Sequence, residues 1–236
     1  MNNGKLYLIP NIIADDTHQT VITPQVYNVL PTIRHFLVED LRNARRFVSA
    51  LKIFESIEAL DFQLLDKDTK SENLAPLFKP ILQGLNIGII SEAGCPGVAD
   101  PGALGVKFAH ENLIEVVPLV GPSSLLLALM ASGLNGQRFA FHGYLPVDAK
   151  ECAKAIRGME QESRIKEQTQ IFIETPYRNN SLRNLLLNNL KNETLLSIAQ
   201  DITGQHEKIT TLSVQGWKNS KAEIPKVPAV FMFLAS

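Results

Sequence analysis

The chain of 236 residues is short of most features that announce a function. It has only two cysteines, Cys95 and Cys152, and no CxxC pair, which leaves no thiolate zinc site or thioredoxin-like centre. A chain this long needs no disulfide staple. Net charge is also nearly absent: 23 Lys/Arg stand against 24 Asp/Glu, for a formal -1. That balance disfavours a strong non-specific nucleic-acid binder, which is usually basic. No uninterrupted apolar run reaches 18 residues. The apolar segment 113–134 is broken by Glu115, Pro118, Gly121, Pro122, Ser123 and Ser124, so it reads as strand, turn and helix and not as a membrane span. Pro10 and Asn11 interrupt the first apolar run, which argues against a signal peptide and makes the cytoplasm the expected location. GxxxxGK[ST], GxGxxG and GxSxG are missing, which disfavours P-loop NTPases, Rossmann dehydrogenases, the common Rossmann methyltransferases and α/β-hydrolases. His18, His35, His110, His142 and His206 follow no ligand spacing, and Asp15-Asp16-Thr17-His18 is the composition of many short polar loops, so no metal is expected.

What is present is a core and an uneven distribution of charge. Apolar residues make up 45% of the chain, enough for one large α/β domain or two small ones. Residues 1–118 hold 10 Lys/Arg and 14 Asp/Glu (-4), and residues 119–236 hold 13 and 10 (+3), making the second half the better contact for an anionic partner.

Short apolar runs alternate with helical patterns. Strands are expected at 5–10, 33–38, 85–90 and 114–119, and helices at 43–50, 71–83 and 102–110. Thr23 and Pro24 are expected as the N-cap and first position of another helix, after a loop over 11–20. This alternation describes a parallel α/β domain. The pattern breaks near residues 118–122, giving expected domains of 1–119 and 120–236. The second half reads as helix 125–132, strand 139–144, helix 149–166, strand 170–174, helix 180–190, strand 194–201 and a final strand 229–234. AVFMFL at 229–234 is so apolar that it is expected inside its sheet. Segments 53–65 and 207–214 fit strand and helix equally.

Three loops could carry chemistry. Residues 91–102, SEAGCPGVADPG, follow a strand and pack three glycines and two prolines into nine positions. Glycine allows close backbone approach to a ligand, and ligands of open α/β sheets gather beyond strand carboxyl ends. Gly121-Pro122-Ser123-Ser124 also joins a strand to a helix, where free N–H groups can hold an anion or a hydroxyl. Either serine can cap that helix. Glu174-Thr175-Pro176-Tyr177-Arg178 is the third: Arg178 suits a phosphate and Tyr177 a base, while Glu174 and Arg178 equally suit a solvated strand-end pair. His35 reads as structural, and His142 is placed beside a cleft by the GYLP that follows it.

LYLIP at 6–10, ISEAGCPGVADPG at 90–102, VVPLVGPSSLLLALMASGL at 116–134 with RFAFHGYLP at 138–146, and IFIETPYR at 171–178 occur in this order over most of the chain. Together they resemble the tetrapyrrole methylase-like superfamily of S-adenosylmethionine-dependent methyltransferases. The branch they resemble most is the one that 2′-O-methylates a cytidine of small-subunit ribosomal RNA. The resemblance implies two α/β domains with a ligand cleft between them, S-adenosyl-L-methionine as cofactor, and a homodimer. By matching motif it implies cofactor contacts at Pro10, Ser91, Glu92, Ala93, Gly94, Val98 and Asp100, then at Pro122, Ser123 and Ser124, and finally at Tyr144, Leu145, Pro146, Glu174 and Thr175.

The sequence departs from the branch on the acceptor side. The branch's P-T-P-I-G-N-L-x-D appears as Pro10-Asn11-Ile12-Ile13-Ala14-Asp15-Asp16, its E-D-T-R as Glu39-Asp40-Leu41-Arg42, and its S-D-A-G as Ser91-Glu92-Ala93-Gly94. Asp40 and Arg42 are taken as the acceptor-side catalytic pair, with Asp16 as a further option. The expected function is methyl transfer to ribosomal RNA at a ribose hydroxyl. Its rivals are methylation of a small molecule such as a tetrapyrrole-like precursor, and a non-catalytic cofactor-binding or protein-interaction module. RNA predicts a basic strip at the site, a macrocycle predicts a broad apolar cavity, and the non-catalytic module predicts no open acceptor pocket.

Overall fold

The structure, a computed structural model, describes residues 4–220 and 223–236. The chain divides between Ser123 and Ser124 into two compact units.

The first unit is built on five parallel strands: β1 (Leu6–Ile9), β2 (His35–Val38), β3 (Asp61–Leu64), β4 (Ile87–Ile90) and β5 (Val116–Pro118). Their order is β3-β2-β4-β1-β5. The central strands are apolar throughout because both faces are covered. Phe36, Val38, Ile9 and Ile90 pack on one face with Val26, Leu30, Phe47 and Val48. Leu37, Leu6, Ile87 and Ile89 pack on the other with Leu74, Phe78, Ile81 and Ala109. Gly88 is the one gap in β4, and a Cβ there would lie 2.5 Å from Ile9 Cδ1. The glycine lets β4 lie beside its bulky neighbours.

Among the described residues, six helices accompany this sheet: α1 (His18–Val21), α2 (Pro24–Val29), α3 (Leu41–Ala50), α4 (Leu74–Leu77), α5 (Lys79–Leu82) and α6 (Gly102–Glu111). The loop expected over 11–20 thus contains the short turn of α1. Thr23 occupies the N-cap position of α2 without a side-chain cap; its hydroxyl donates to the Val120 carbonyl at 3.1 Å. The single helix expected over 71–83 is instead a 3₁₀ turn followed by α4 and α5. Pro76 and Pro80 supply no N–H to a continuous helix, and the chain breaks between them. The ambiguous segment 53–65 ends in β3 at the sheet's edge.

The second unit holds β6 (Phe139–Tyr144), β7 (Thr169–Glu174), β8 (Leu195–Gln200), β9 (Lys208–Ser213) and β10 (Ala229–Leu234), in the order β6-β7-β10-β8-β9. Only β6 and β7 run parallel; β10 is antiparallel to both β7 and β8, and β9 is antiparallel to β8. The final strand is therefore the middle of its sheet, as its composition requires. Phe231 stacks on Phe172 at 6.0 Å, and Phe233 meets the same ring edge-on. Around the sheet lie α7 (Ser124–Ser132), α8 (Ala149–Lys166), α9 (Asn179–Asn189) and α10 (Val214–Ser220). Segment 207–214 proves to be an edge strand running into α10, whose Trp217 is buried and donates its indole N–H to the Leu196 carbonyl at 2.7 Å. Among the described residues no helix is long and apolar enough to cross a membrane.

Candidate active site

In a parallel sheet every strand presents its carboxyl end at one edge, so the loops after β1, β2, β4 and β5 of the first unit emerge together. The chain leaves β2 toward β3 and leaves the neighbouring β4 toward β5, in opposite directions along the sheet. That divergence marks the ligand-binding edge of an open α/β sheet.

The loops are fastened to one another. Asn11 is buried, and its amide donates to the carbonyls of Ser91 at 2.9 Å and Glu92 at 3.1 Å. Its backbone forms an antiparallel bridge with Gly94. The buried Ser91 hydroxyl donates to the Gly94 carbonyl at 3.1 Å. Gly94 and Gly97 have φ of 68° and 81°, which a residue with a Cβ adopts only at a cost. Gly121 lies so near the first loop that a Cβ there would be 2.1 Å from Pro10 Cβ. The Cys95 thiol reaches the Pro122 carbonyl at 3.4 Å. Pro10, Ser91, Gly94 and Pro122 are thus parts of one locked assembly, with Glu92, Ala93 and Val98 exposed on it. Asn11 was not singled out from the sequence. The signal available was an Asn directly after a strand, a residue that readily bonds to nearby backbone.

Asp100 holds the far end of the long loop. Its Oδ1 accepts from Gly97 N at 2.6 Å and from Gly102 N at 2.8 Å. Burial pushes its carboxyl above the ordinary carboxylate range in spite of those two donors. Glu39, just past β2, is also pushed up, first by burial and then by the negative charges of Glu92 and Asp100. The edge therefore carries concentrated negative potential.

Asp40 is the N-cap of α3, and its Oδ1 accepts from Asn43 N at 2.7 Å. Arg42 is exposed on the first turn of the helix. No ion pair joins the two among the described residues. Beside them lies a cleft of about 370 Å³. Its apolar lining is Ile12, Ile13, Phe47 and Ala50, and its polar lining includes Asp15, Asp16, His18, Asn43, Arg46 and Glu92. The altered first loop, Asp16 included, thus forms a wall of this cleft. Asn43 donates to Glu92 Oε1 at 3.1 Å across it. Among the described residues no cluster of His, Cys, Asp or Glu has the arrangement of a metal site.

In the second unit, the Glu174 side chain is fully buried at the end of β7. Its Oε1 accepts from Thr175 N at 2.7 Å and from the Thr175 hydroxyl at 3.2 Å, while Oε2 lies 3.2 Å from Arg178 Nη2. Arg178 also reaches the Pro146 carbonyl at 3.5 Å. The strand-end pair therefore forms, with Glu174 enclosed and Arg178 partly exposed, so on the Glu174 side it is buried and not solvated. Tyr144 and Tyr177 are exposed, whereas the Leu145 side chain joins the core. Tyr144 follows Gly143, with φ of 66°, where the register of β6 shifts. His142 is held by Gln170 at 2.5 Å, and His35 by Asp61 at 3.1 Å.

No protein-family model matches the chain. Several curated proteins named ribosomal RNA small subunit methyltransferase I are similar to it. The one from Vibrio cholerae is 30% identical over 204 residues, covering 86% of this chain and 67% of that protein. The one from Synechocystis is 29% identical over 205 residues, covering 87% and 69%. The one from Escherichia coli O157:H7 is 32% identical over 177 residues, covering 75% and 58%. Among solved structures, the methyltransferase CobJ superposes with a TM-score of 0.62 at 13% identity, covering 99% of this chain and all of that one. Uroporphyrin-III C-methyltransferase from Thermus thermophilus, complexed with S-adenosylhomocysteine, superposes with a TM-score of 0.59 at 16% identity, covering 98% and 97%. At these identities the structural likeness is one of fold: the chain has the tetrapyrrole methylase fold.

Proposed function

The chain belongs to the ribosomal RNA small subunit methyltransferase I family, and on that premise we propose that it transfers the methyl group of S-adenosyl-L-methionine to a ribose 2′-hydroxyl of ribosomal RNA. We take its working form to be a cytoplasmic homodimer. The observation that carries the reading is the locked loop assembly at the carboxyl edge of the first sheet, together with the carboxylates gathered there. The chemistry of this edge fits the cofactor. A sulfonium is a cation, and Glu39, Glu92 and Asp100 supply negative potential. The backbone of Ser91, Glu92, Ala93 and Gly94 is pinned through Asn11 before any ligand arrives, so little order is lost on binding.

When bound, S-adenosyl-L-methionine supplies a methyl group already activated for transfer. The protein's part is to hold the acceptor in line and take up its proton. Asp40 uses Oδ1 for its helix cap, leaving Oδ2 to accept the proton of the ribose hydroxyl. Arg42, two residues on, is assigned to the phosphate beside that ribose.

Asp40→Asn and Arg42→Ala test the assignment. Asparagine caps helices as well as aspartate does, so the first variant keeps its fold and loses the base. Transfer of radiolabelled methyl groups to ribosomal RNA should fall about 10²–10⁴-fold in Asp40→Asn, with S-adenosylhomocysteine binding unchanged. Full turnover in both variants would overturn the roles. Label incorporated from RNA-free extract and not from RNA would overturn the acceptor.

A further inference from the structure

Asn135 is followed by Gly136 in the turn that joins α7 to β6. The sequence has one other Asn-Gly pair, at positions 3 and 4, of which Asn3 lies outside the described residues. An asparagine before glycine is chemically labile for a steric reason. Glycine has no Cβ, so its backbone nitrogen can swing onto the preceding carboxamide carbon. At Gly136 nothing resists that movement: the residue is exposed, and a Cβ built there meets no atom within 4 Å. Its N–H has no backbone hydrogen bond among the described residues.

The Asn135 carboxamide is held at both ends. Its Oδ1 accepts from Gln137 N at 2.9 Å and from Arg138 N at 3.3 Å. Its Nδ2 donates to the Glu167 carbonyl at 2.6 Å. Glu167 is the C-cap of α8, with a φ of 51°, so Asn135 supplies a donor to the carbonyls left unpaired at that helix end. The Asn135 carbonyl accepts from the Thr169 hydroxyl at 2.9 Å, where β6 and β7 begin to pair. One residue thus ties the turn, the end of α8 and the sheet edge together.

From this arrangement we infer that Asn135 is a site of self-modification, converted by Gly136 to aspartate and isoaspartate through a cyclic imide. The two backbone N–H groups on Oδ1 act as an oxyanion hole for that step, because they face the oxygen on which charge gathers when Cγ is attacked. Gly136 N gives its proton to hydroxide and bonds to Asn135 Cγ. The Cγ–Nδ2 bond breaks, and Nδ2 leaves as ammonia with a proton from water. Water then opens the imide. Opening at Cγ gives aspartate; opening at the backbone carbonyl gives isoaspartate, with the chain running through the side chain. One water is consumed and one ammonia released, with no oxidant or cofactor.

Either product undoes the joint. A carboxylate has no hydrogen to give the Glu167 carbonyl, and it sets a negative charge at the negative end of the α8 dipole. The neighbouring Arg138 already spends Nη1 on the Lys166 carbonyl at 3.2 Å. Isoaspartate also lengthens the backbone by one carbon and shifts the carbonyl that holds Thr169. Among the described residues β6 has β7 as its one strand neighbour, so no second strand steadies it. The second unit therefore carries a reaction that limits its own working life, whatever the chain methylates.

Storage of the full chain in neutral and in mildly alkaline buffer tests this, with peptide mapping by mass spectrometry, an isoaspartate assay and urea unfolding of the same samples. The peptide containing Asn135 should gain one dalton with time, faster at the higher pH, and isoaspartate should accumulate in step. Gly136→Ala keeps the fold, since the added methyl meets nothing, and should slow conversion several-fold. Asn135→Asp should lower the urea midpoint. Aged wild type should drift toward that lower midpoint while Gly136→Ala holds its own. An unchanged mass at Asn135 after other asparagines have converted, or equal rates in the wild type and Gly136→Ala, would overturn the site. Conversion that proceeds in guanidinium chloride and not in the folded chain would overturn the oxyanion hole. Full conversion with an unchanged midpoint would overturn the limit on working life.

Discussion

The two sheets use similar residue types for opposite ends. In the first unit all five strands are parallel and only three or four residues long, so their carboxyl ends meet at one edge and the loops there hold one another. Asn11, Ser91, Gly94, Asp100 and Gly121 belong to those loops. In the second unit the strands are six residues long and most neighbours run antiparallel, so carboxyl ends are split between two edges, those of β6, β7 and β8 at one and those of β9 and β10 at the other. Its polar groups turn inward instead: Glu174 binds Thr175, and the buried Glu160 accepts from Lys191 N at 2.8 Å and from the Thr194 hydroxyl at 2.5 Å. A parallel sheet concentrates exposed chemistry, whereas a mixed sheet with its last strand in the centre is organised for internal cohesion.

The sharpest way to break this contrast is at that central strand. Phe231→Ala removes a fully buried ring stacked on Phe172 and should cost about 3–5 kcal/mol, measured by urea unfolding. A loss below about 1 kcal/mol would mean that β10 is not the keystone of its sheet. A smaller effect on stability, with a larger one on ligand binding, is expected at the loop edge of the first unit. Gly121→Ala forces a methyl group against Pro10 and should cost about 1–3 kcal/mol while weakening S-adenosylhomocysteine binding. Gly136→Ala in the second unit meets nothing within 4 Å and should change neither; calorimetry of both variants checks the pair, and equal effects would erase the distinction. The smallest effect is electrostatic and opposite in sign between units. The Asp100 pKa is raised by burial, so its stabilising contribution is complete below the ordinary carboxylate pKa and is lost as pH rises through the raised value. The Glu162 pKa is lowered, chiefly by its hydrogen bond to Lys166, so its contribution is present above the ordinary value and is lost as pH falls through the lowered one. Across the acidic range, the wild type should lose stability relative to Asp100→Asn with rising pH and gain it relative to Glu162→Gln. Urea midpoints of the three proteins from pH 3 to pH 7 (a range about the carboxylate pKa values) check this, and parallel curves would contradict it.

Much of the fold was legible because it is local. Apolar runs marked the central strands, and the apolar density of 229–234 even placed β10 inside its sheet. Local pattern failed where two signals competed. Leu, Phe and Ile spaced through 71–83 suit a helix, but Pro76 and Pro80 interrupt it. The alternation in KITTLS is diluted by the apolar start of α10, which hid β9. At the site, the glycines and prolines of 91–102 revealed a constrained loop, yet nothing in the sequence said that Asn11 would fasten it or that Asp40 would have one oxygen engaged at a helix cap.

Outside 53–65 and 207–214, the sequence by itself determined where strands end and loops begin, and which loops are built for close backbone approach, because periodicity, chain stiffness and positive φ are properties of neighbours along the chain. Only the tertiary structure decided that Glu174 is enclosed with Arg178, that Gly121 meets Pro10, and that the altered first loop and α3 enclose a cleft. Burial and pairing depend on residues distant in the chain, and no local pattern records which of them will meet.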